Sequence, residues 1–150
     1  DAVHGRVAVH EAIESGHFRG EGPTGGGGTV QLAGGGYVEG FEAGESGSLL
    51  IDRYRRTIEY LEEISDPRER ALVYFAAATR QQFYFDGNKR TARIVSNALL
   101  IANNYCPLSF RTVDSIDYKK AMLLFYEQNN LSAFKQIFME QFAFAVKTYF

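Results

Sequence analysis

The sequence predicts an all-α domain, a helical bundle with one small β-hairpin near its N-terminus. Three observations predict it. From Ser48 to about residue 148, apolar side chains recur at helical spacing. Strong helix-start and helix-stop residues, Asp66-Pro67 and Pro107, punctuate that region. Residues 20–36 hold nine glycines, which excludes a regular helix there and suits short strands joined by turns. The 150 residues make a single domain (1–150), with no internal repeat, and a chain of that size buries ~70% of its unfolded surface.

The elements follow in order. Residues 2–15 read as a short helix, with Val3, Val7, Ala8 and Ala12 at helical spacing and Gly16 as its stop. In the glycine-rich part, Thr29-Val30-Gln31-Leu32 and Tyr37-Val38-Glu39 read as two short strands of a hairpin, the alternative being a surface loop. Ser48 is the expected cap of a helix running to about Ile64, whose inner side carries Leu50, Tyr54, Ile58, Leu61 and Ile64. Asp66-Pro67-Arg68-Glu69 opens the next helix, with Asp as cap and Pro in the first turn, and that helix ends near Gln82. A helix from about Lys89 to Asn103 and two more, about 115–128 and 131–148, complete the chain. Phe134, Phe138 and Phe142 form a stripe at spacing four, which reads as core.

Composition narrows the function classes. Sixteen basic against 18 acidic residues give a net charge of −2, so nothing pulls the chain generally towards nucleic acid or an anionic membrane. One cysteine, Cys106, excludes an internal disulfide framework and a cysteine-based zinc site. The three histidines all lie near the start. No apolar run approaches the ~20 residues of a membrane helix. These features suit a cytoplasmic protein. A start at Asp1 rather than Met suits a fragment or a processed chain.

One stretch carries chemistry: Gln82-Phe83-Tyr84-Phe85-Asp86-Gly87-Asn88-Lys89-Arg90-Thr91-Ala92-Arg93. A helix ends, a turn follows and a helix begins, so the first amides of the new helix lack partners within it and attract anions. Gly87 lets the backbone approach a ligand. Lys89, Arg90 and Arg93 place cations where the helix dipole disfavours them, which a bound phosphate would explain. Asp86 beside them could hold a Mg²⁺ that bridges to phosphates. The plainer alternative is a turn followed by a basic helix start.

The stretch resembles the signature of Fic domains, in the Fic/Doc superfamily: His-Pro-Phe-x-Asp/Glu-Gly-Asn-Gly/Lys-Arg-x-x-Arg. Tyr84 matches the aromatic, and Asp86, Gly87, Asn88, Lys89, Arg90 and Arg93 match in turn. The resemblance implies a Fic-type helical bundle, with a flap at about 29–40 that docks a protein target and a core at about 48–148. It implies ATP and Mg²⁺ as cofactors and transfer of AMP to a Tyr, Thr or Ser hydroxyl of a protein. Asp86 would bind the metal. Gly87, Asn88, Lys89 and Arg90 would form the anion hole, and Arg93 would steady the phosphates. By family habit the source would be bacterial.

The sequence departs from the signature in places. Gln82 holds the position of the histidine that takes the hydroxyl proton, and a neutral amide has no basic site near neutral pH. Losing a general base costs roughly 10²- to 10⁴-fold in rate, less if the transition state is loose. His10 and His17 are the candidates for a distant replacement. Phe83 stands at the proline position, which favours natural divergence over an introduced Gln82. Lys89 is similar to the phosphorylating Doc branch, whereas that branch usually lacks an arginine matching Arg93. No run Ser/Thr-x-x-x-Glu-Gly/Asn, the mark of the self-inhibiting helix, is present.

Elsewhere, Asn97 and Ser96 could reach a nucleotide or serve a capping or solvated role, and Tyr105 and Cys106 sit at a helix end where an adenine could stack. Arg55 and Arg56 are expected to pair with Glu59. Three functions follow: a degenerate Fic-like domain that binds Mg-nucleotide with AMP transfer weak or lost; an active AMP transferase or Doc-like kinase; and a non-catalytic helical interaction module.

Overall fold

The computed structural model describes residues 1–31 and 36–149. Among them lie six α-helices: α1 (Ala2–Val7), α2 (Ser48–Glu63), α3 (Pro67–Gln81), α4 (Asn88–Ala102), α5 (Ser115–Gln128) and α6 (Ser132–Tyr149). Strands β1 (Thr29–Gln31) and β2 (Tyr37–Glu39) pair antiparallel, with Thr29 opposite Glu39 and Gln31 opposite Tyr37. Leu32, expected at the end of the first strand, lies outside the described residues.

The architecture is built around α3. Asp66 accepts the Arg68 amide at 2.8 Å and Pro67 takes the first helical position, so both local signals start the helix where expected. The helix then buries Ala71, Leu72, Phe75, Ala78 and Thr79. Small residues let α4 approach closely, and the buried Ser96 hydroxyl donates to the Ala71 carbonyl at 2.8 Å. On its other side α3 meets the phenylalanine stripe of α6. Phe75 stacks on Phe134 with ring centres 5.3 Å apart, and Phe110 and Tyr118 close around them. Asp114 caps α5 by accepting the Ile116 and Asp117 amides.

Three local expectations need correction. The first helix stops at Val7 instead of running to 15. The chain doubles back through left-handed Glu14 and Gly16 so that the Gly16 amide can donate to the His4 ring at 2.9 Å. The buried residue of α1 is therefore His4, with Ala8 buried just beyond its end, while Val3 is exposed. Ser48 does not cap α2. Gly47, in the left-handed region, is the cap, and the Leu49 and Leu50 amides donate to the Ala43 carbonyl instead. Arg55 and Arg56 pair with Asp52, at 3.8 and 2.9 Å, and not with Glu59. An acid N-terminal to its base on a helix is the better orientation.

Candidate functional site: the turn between α3 and α4

The site is made by two left-handed residues. Gln82 (φ 50°) ends α3, and Gly87 (φ 76°) starts α4, so the intervening loop turns sharply and brings both ends together. A cleft of about 360 Å³ opens on this loop, lined by Gln82, Asp86, Gly87, Asn88, Lys89 and Arg90, with Thr29 entering from β1. Six of the seven residues expected at the site thus lie together.

Their roles differ from one another. The Asn88 side chain is buried and works inward. Its oxygen accepts the Tyr84 amide at 2.9 Å, and its nitrogen donates to the Tyr84 carbonyl at 2.7 Å and to Gln82 Oε1 at 3.2 Å. Asn88 therefore shapes the loop, and only its backbone amide is left for an anion. Among the described residues the amides of Asn88, Lys89 and Arg90 have no hydrogen-bond partner, the first bond of α4 running from the Thr91 amide to the Gly87 carbonyl. The Gly87 amide, by contrast, donates to Asp86 Oδ1 at 2.6 Å. Lys89 is exposed and makes no ion pair among the described residues. Arg90 is engaged: it pairs with Glu11, from the turns after α1, and lies 3.9 Å from Asp86 Oδ2.

Asp86 is the one carboxylate lining the cleft among the described residues. Its side chain is exposed, and one oxygen remains unused by the backbone. Among the described residues no cluster of three His, Cys, Asp or Glu side chains gathers, so a cation at this cleft would meet one protein carboxylate and would draw its other ligands from elsewhere.

Gln82 lines the cleft with both ends of its amide occupied. Oε1 accepts from Asn88, and Nε2 donates to the Thr79 carbonyl, which also accepts the Tyr126 hydroxyl at 3.1 Å. Burial pushes that phenol up to about 12.

Arg93 is not brought to the cleft. Its guanidinium lies over the Phe110 ring, 5.6 Å from the ring centre. Neither His10 nor His17 lines the cleft; both are exposed, and His17 lies 3.9 Å from Glu21. Asn97 instead brackets the backbone of Leu108, accepting its amide at 2.9 Å and donating to its carbonyl at 3.0 Å. Tyr105 packs edge-on against Phe142, Cys106 is buried, and neither lines the cleft.

Two buried groups behind the cleft escaped the sequence. His4 is fully buried and stacked on Tyr84 at 3.7 Å. Its Nδ1 accepts the Gly16 amide, so Nε2 carries the proton and donates to the Asp86 carbonyl at 2.8 Å. Burial holds its pKa below the ordinary imidazole value. Arg19, 1% exposed, donates from Nε to the Gln82 carbonyl at 2.6 Å. The only sequence signals were a histidine four residues before a buried alanine and a lone arginine beside a glycine run.

A second, larger cavity of about 850 Å³ adjoins this end of α3, lined by Phe41, Tyr60, Ala77, Gln81, Phe125 and Asn129 among others.

No family model matches the sequence, and no curated protein matches it. Among solved structures, a Fic family protein from Desulfovibrio desulfuricans G20 has the same fold, with a TM-score of 0.76 and 18% identity over 98% of this chain and 46% of that one. The chain thus spans about half the length of that protein.

Proposed function

We propose that the cleft at the start of α4 binds the phosphates of a magnesium-bound nucleotide such as ATP, and that AMP transfer from it to a protein hydroxyl is weak or lost. The observation that carries this is the set of unpartnered amides at Asn88, Lys89 and Arg90, opening on a cleft beside an uncommitted lysine. Amides so directed stabilise anions, helped by the helix dipole. Asp86 would hold the Mg²⁺, which would supply charge neutralisation of the phosphates. The cavity beside Gln81 has the size to take the nucleoside. Arg93 would contribute only after leaving Phe110. The Fic-like fold supports the same reading, with the hairpin as the flap on which a target segment docks and a cytoplasmic, ATP-supplied setting, bacterial by the same resemblance.

Transfer is expected to be slow because Gln82 cannot accept a proton and both ends of its amide are already bonded. The missing base costs roughly 10²- to 10⁴-fold. The ion pairs of Arg90 favour one second reading, a non-catalytic interaction module in which the motif charges tie α1's following turns to α4.

Calorimetric titration with ATP, with and without Mg²⁺, separates the two. A micromolar, Mg²⁺-dependent heat that disappears in Asp86→Ala is expected. Absence of heat up to millimolar nucleotide overturns the nucleotide reading and leaves the module. ATP labelled at the α- or the γ-phosphate then distinguishes AMP transfer from a Doc-like phosphorylation.

A further inference from the structure

We infer that Arg19 is a positioning residue that couples the β-hairpin to the phosphate cleft, so that the two respond to a bound nucleotide together; this rests on the nucleotide reading above.

Arg19 is a charge buried without a countercharge. Its guanidinium is 1% exposed, and among the described residues no carboxylate pairs with it. Burying a cation this way is costly unless every donor is satisfied. Three backbone carbonyls from three separate segments take one N–H from each of its three nitrogens: Gln82 at 2.6 Å from Nε, Gly26 from Nη1, and Phe41 at 2.9 Å from Nη2. Its own amide donates to the Phe83 carbonyl at 2.8 Å. The side chain thus joins the entry of the hairpin, the exit of the hairpin and the first residues of the motif.

The glycines explain how the hairpin closes on it. A Cβ at Gly28 would sit 2.8 Å from Nη1, and one at Gly40 would sit 2.9 Å from Nη2. The same two residues close the hairpin's base, the Gly40 amide donating to the Gly28 carbonyl at 2.8 Å. Two positions without side chains therefore lie flat against the guanidinium. At the other end, the Gln82 carbonyl that Arg19 holds belongs to the left-handed residue whose side chain reaches Asn88. Any change in Gln82 that follows ligand binding pulls on Arg19, and through it on Gly26 and Phe41. Thr29, which lines the cleft, lies beside Gly28 on the same hairpin.

Hydrogen exchange with Mg·ATP as the probe tests this. In the unaltered protein, nucleotide should slow exchange both at the start of α4 and at the Gly40 amide. In Arg19→Lys, which keeps the charge and loses the planar fork, slowing at α4 should remain, slowing at Gly40 should vanish, and affinity should fall about tenfold. Gly28→Ala, whose added Cβ meets only the Arg19 side chain, should reproduce the loss of coupling at the Gly40 amide with Arg19 present, and it carries the test if Arg19→Lys does not fold. A Gly40 amide indifferent to nucleotide in the unaltered protein, or equally responsive in the variants, overturns the inference and leaves Arg19 as a staple. If the protein binds no Mg·ATP, the nucleotide reading fails on its own account. The tie is then read without ligand: Asn88→Ala, which releases Gln82, should speed exchange at Gly40 with Arg19 present and not with Lys in its place. Equal effects in both backgrounds overturn it.

Discussion

At the residue scale, the cleft's charges already hold one another. Arg90 is shared between Glu11 and Asp86, both on exposed side chains. Such pairs are worth about 0–1 kcal/mol, so a phosphate can displace Glu11 at small cost. Glu11→Gln is therefore expected to tighten Mg·ATP binding by no more than about fivefold, with less effect at high salt. Weaker binding in that calorimetric comparison would show that Glu11 orders the site instead of competing for it. His4 behaves differently because it is buried. Its folded pKa is lowered, so the neutral ring is the form the fold requires. The stability it contributes is present above the unfolded value of about 6.5 and is lost as pH falls through that value towards the lower folded one. Thermal midpoints should drop as the solution is acidified below about pH 6.5, and His4→Phe should remove that part of the dependence.

At the element scale, the helix ends decide where the site sits. The Arg68 guanidinium pairs with Asp66 and the Arg68 amide donates to it, and these bonds hold its carboxyl down to about 2. The cap should therefore survive mild acid. Asp66→Ala should cost about 1 kcal/mol, read as a lower midpoint in urea with an unchanged slope. Helix boundaries of this kind were legible at Asp66-Pro67 because both residues act within one turn of themselves. The length of α1 was not. It ends because Gly16 returns to His4, a contact between segments that periodicity within residues 2–15 does not contain. The hairpin pairs where its strand residues are β-prone. The glycines of its base answer instead to Arg19, which local reading had no reason to connect with them.

For the whole molecule, the aromatic core between α3 and α6 sets the stability available to the site. Phe134 is fully buried and stacks on Phe75 at 5.3 Å. Phe134→Ala should cost about 3–5 kcal/mol, a large share of the 5–15 kcal/mol typical of a domain, and urea unfolding would measure it. The core was readable from spacing alone, since Phe134, Phe138 and Phe142 repeat on one helix face. The candidate site was readable only where it is contiguous. Asp86 to Arg90 follow one another in the chain and meet at one cleft, whereas Arg93, one turn on, is turned aside by Phe110. The supports of the cleft come from far away in sequence, Arg19 by 63 residues and His4 by 82.

Those separations also order events during synthesis. The segment that contributes His4 and Arg19 is made before the turn it supports, and its bonds to Gln82 and Asp86 wait on the order of several seconds for those residues at ordinary elongation rates. A buried cation and a glycine-rich hairpin spend that interval in water, where both are comfortable. Docking them is a late, non-local step, and such steps are slow because a long loop must close before any contact rewards it. The N-terminal segment should be the last to gain resistance to a protease added to nascent chains.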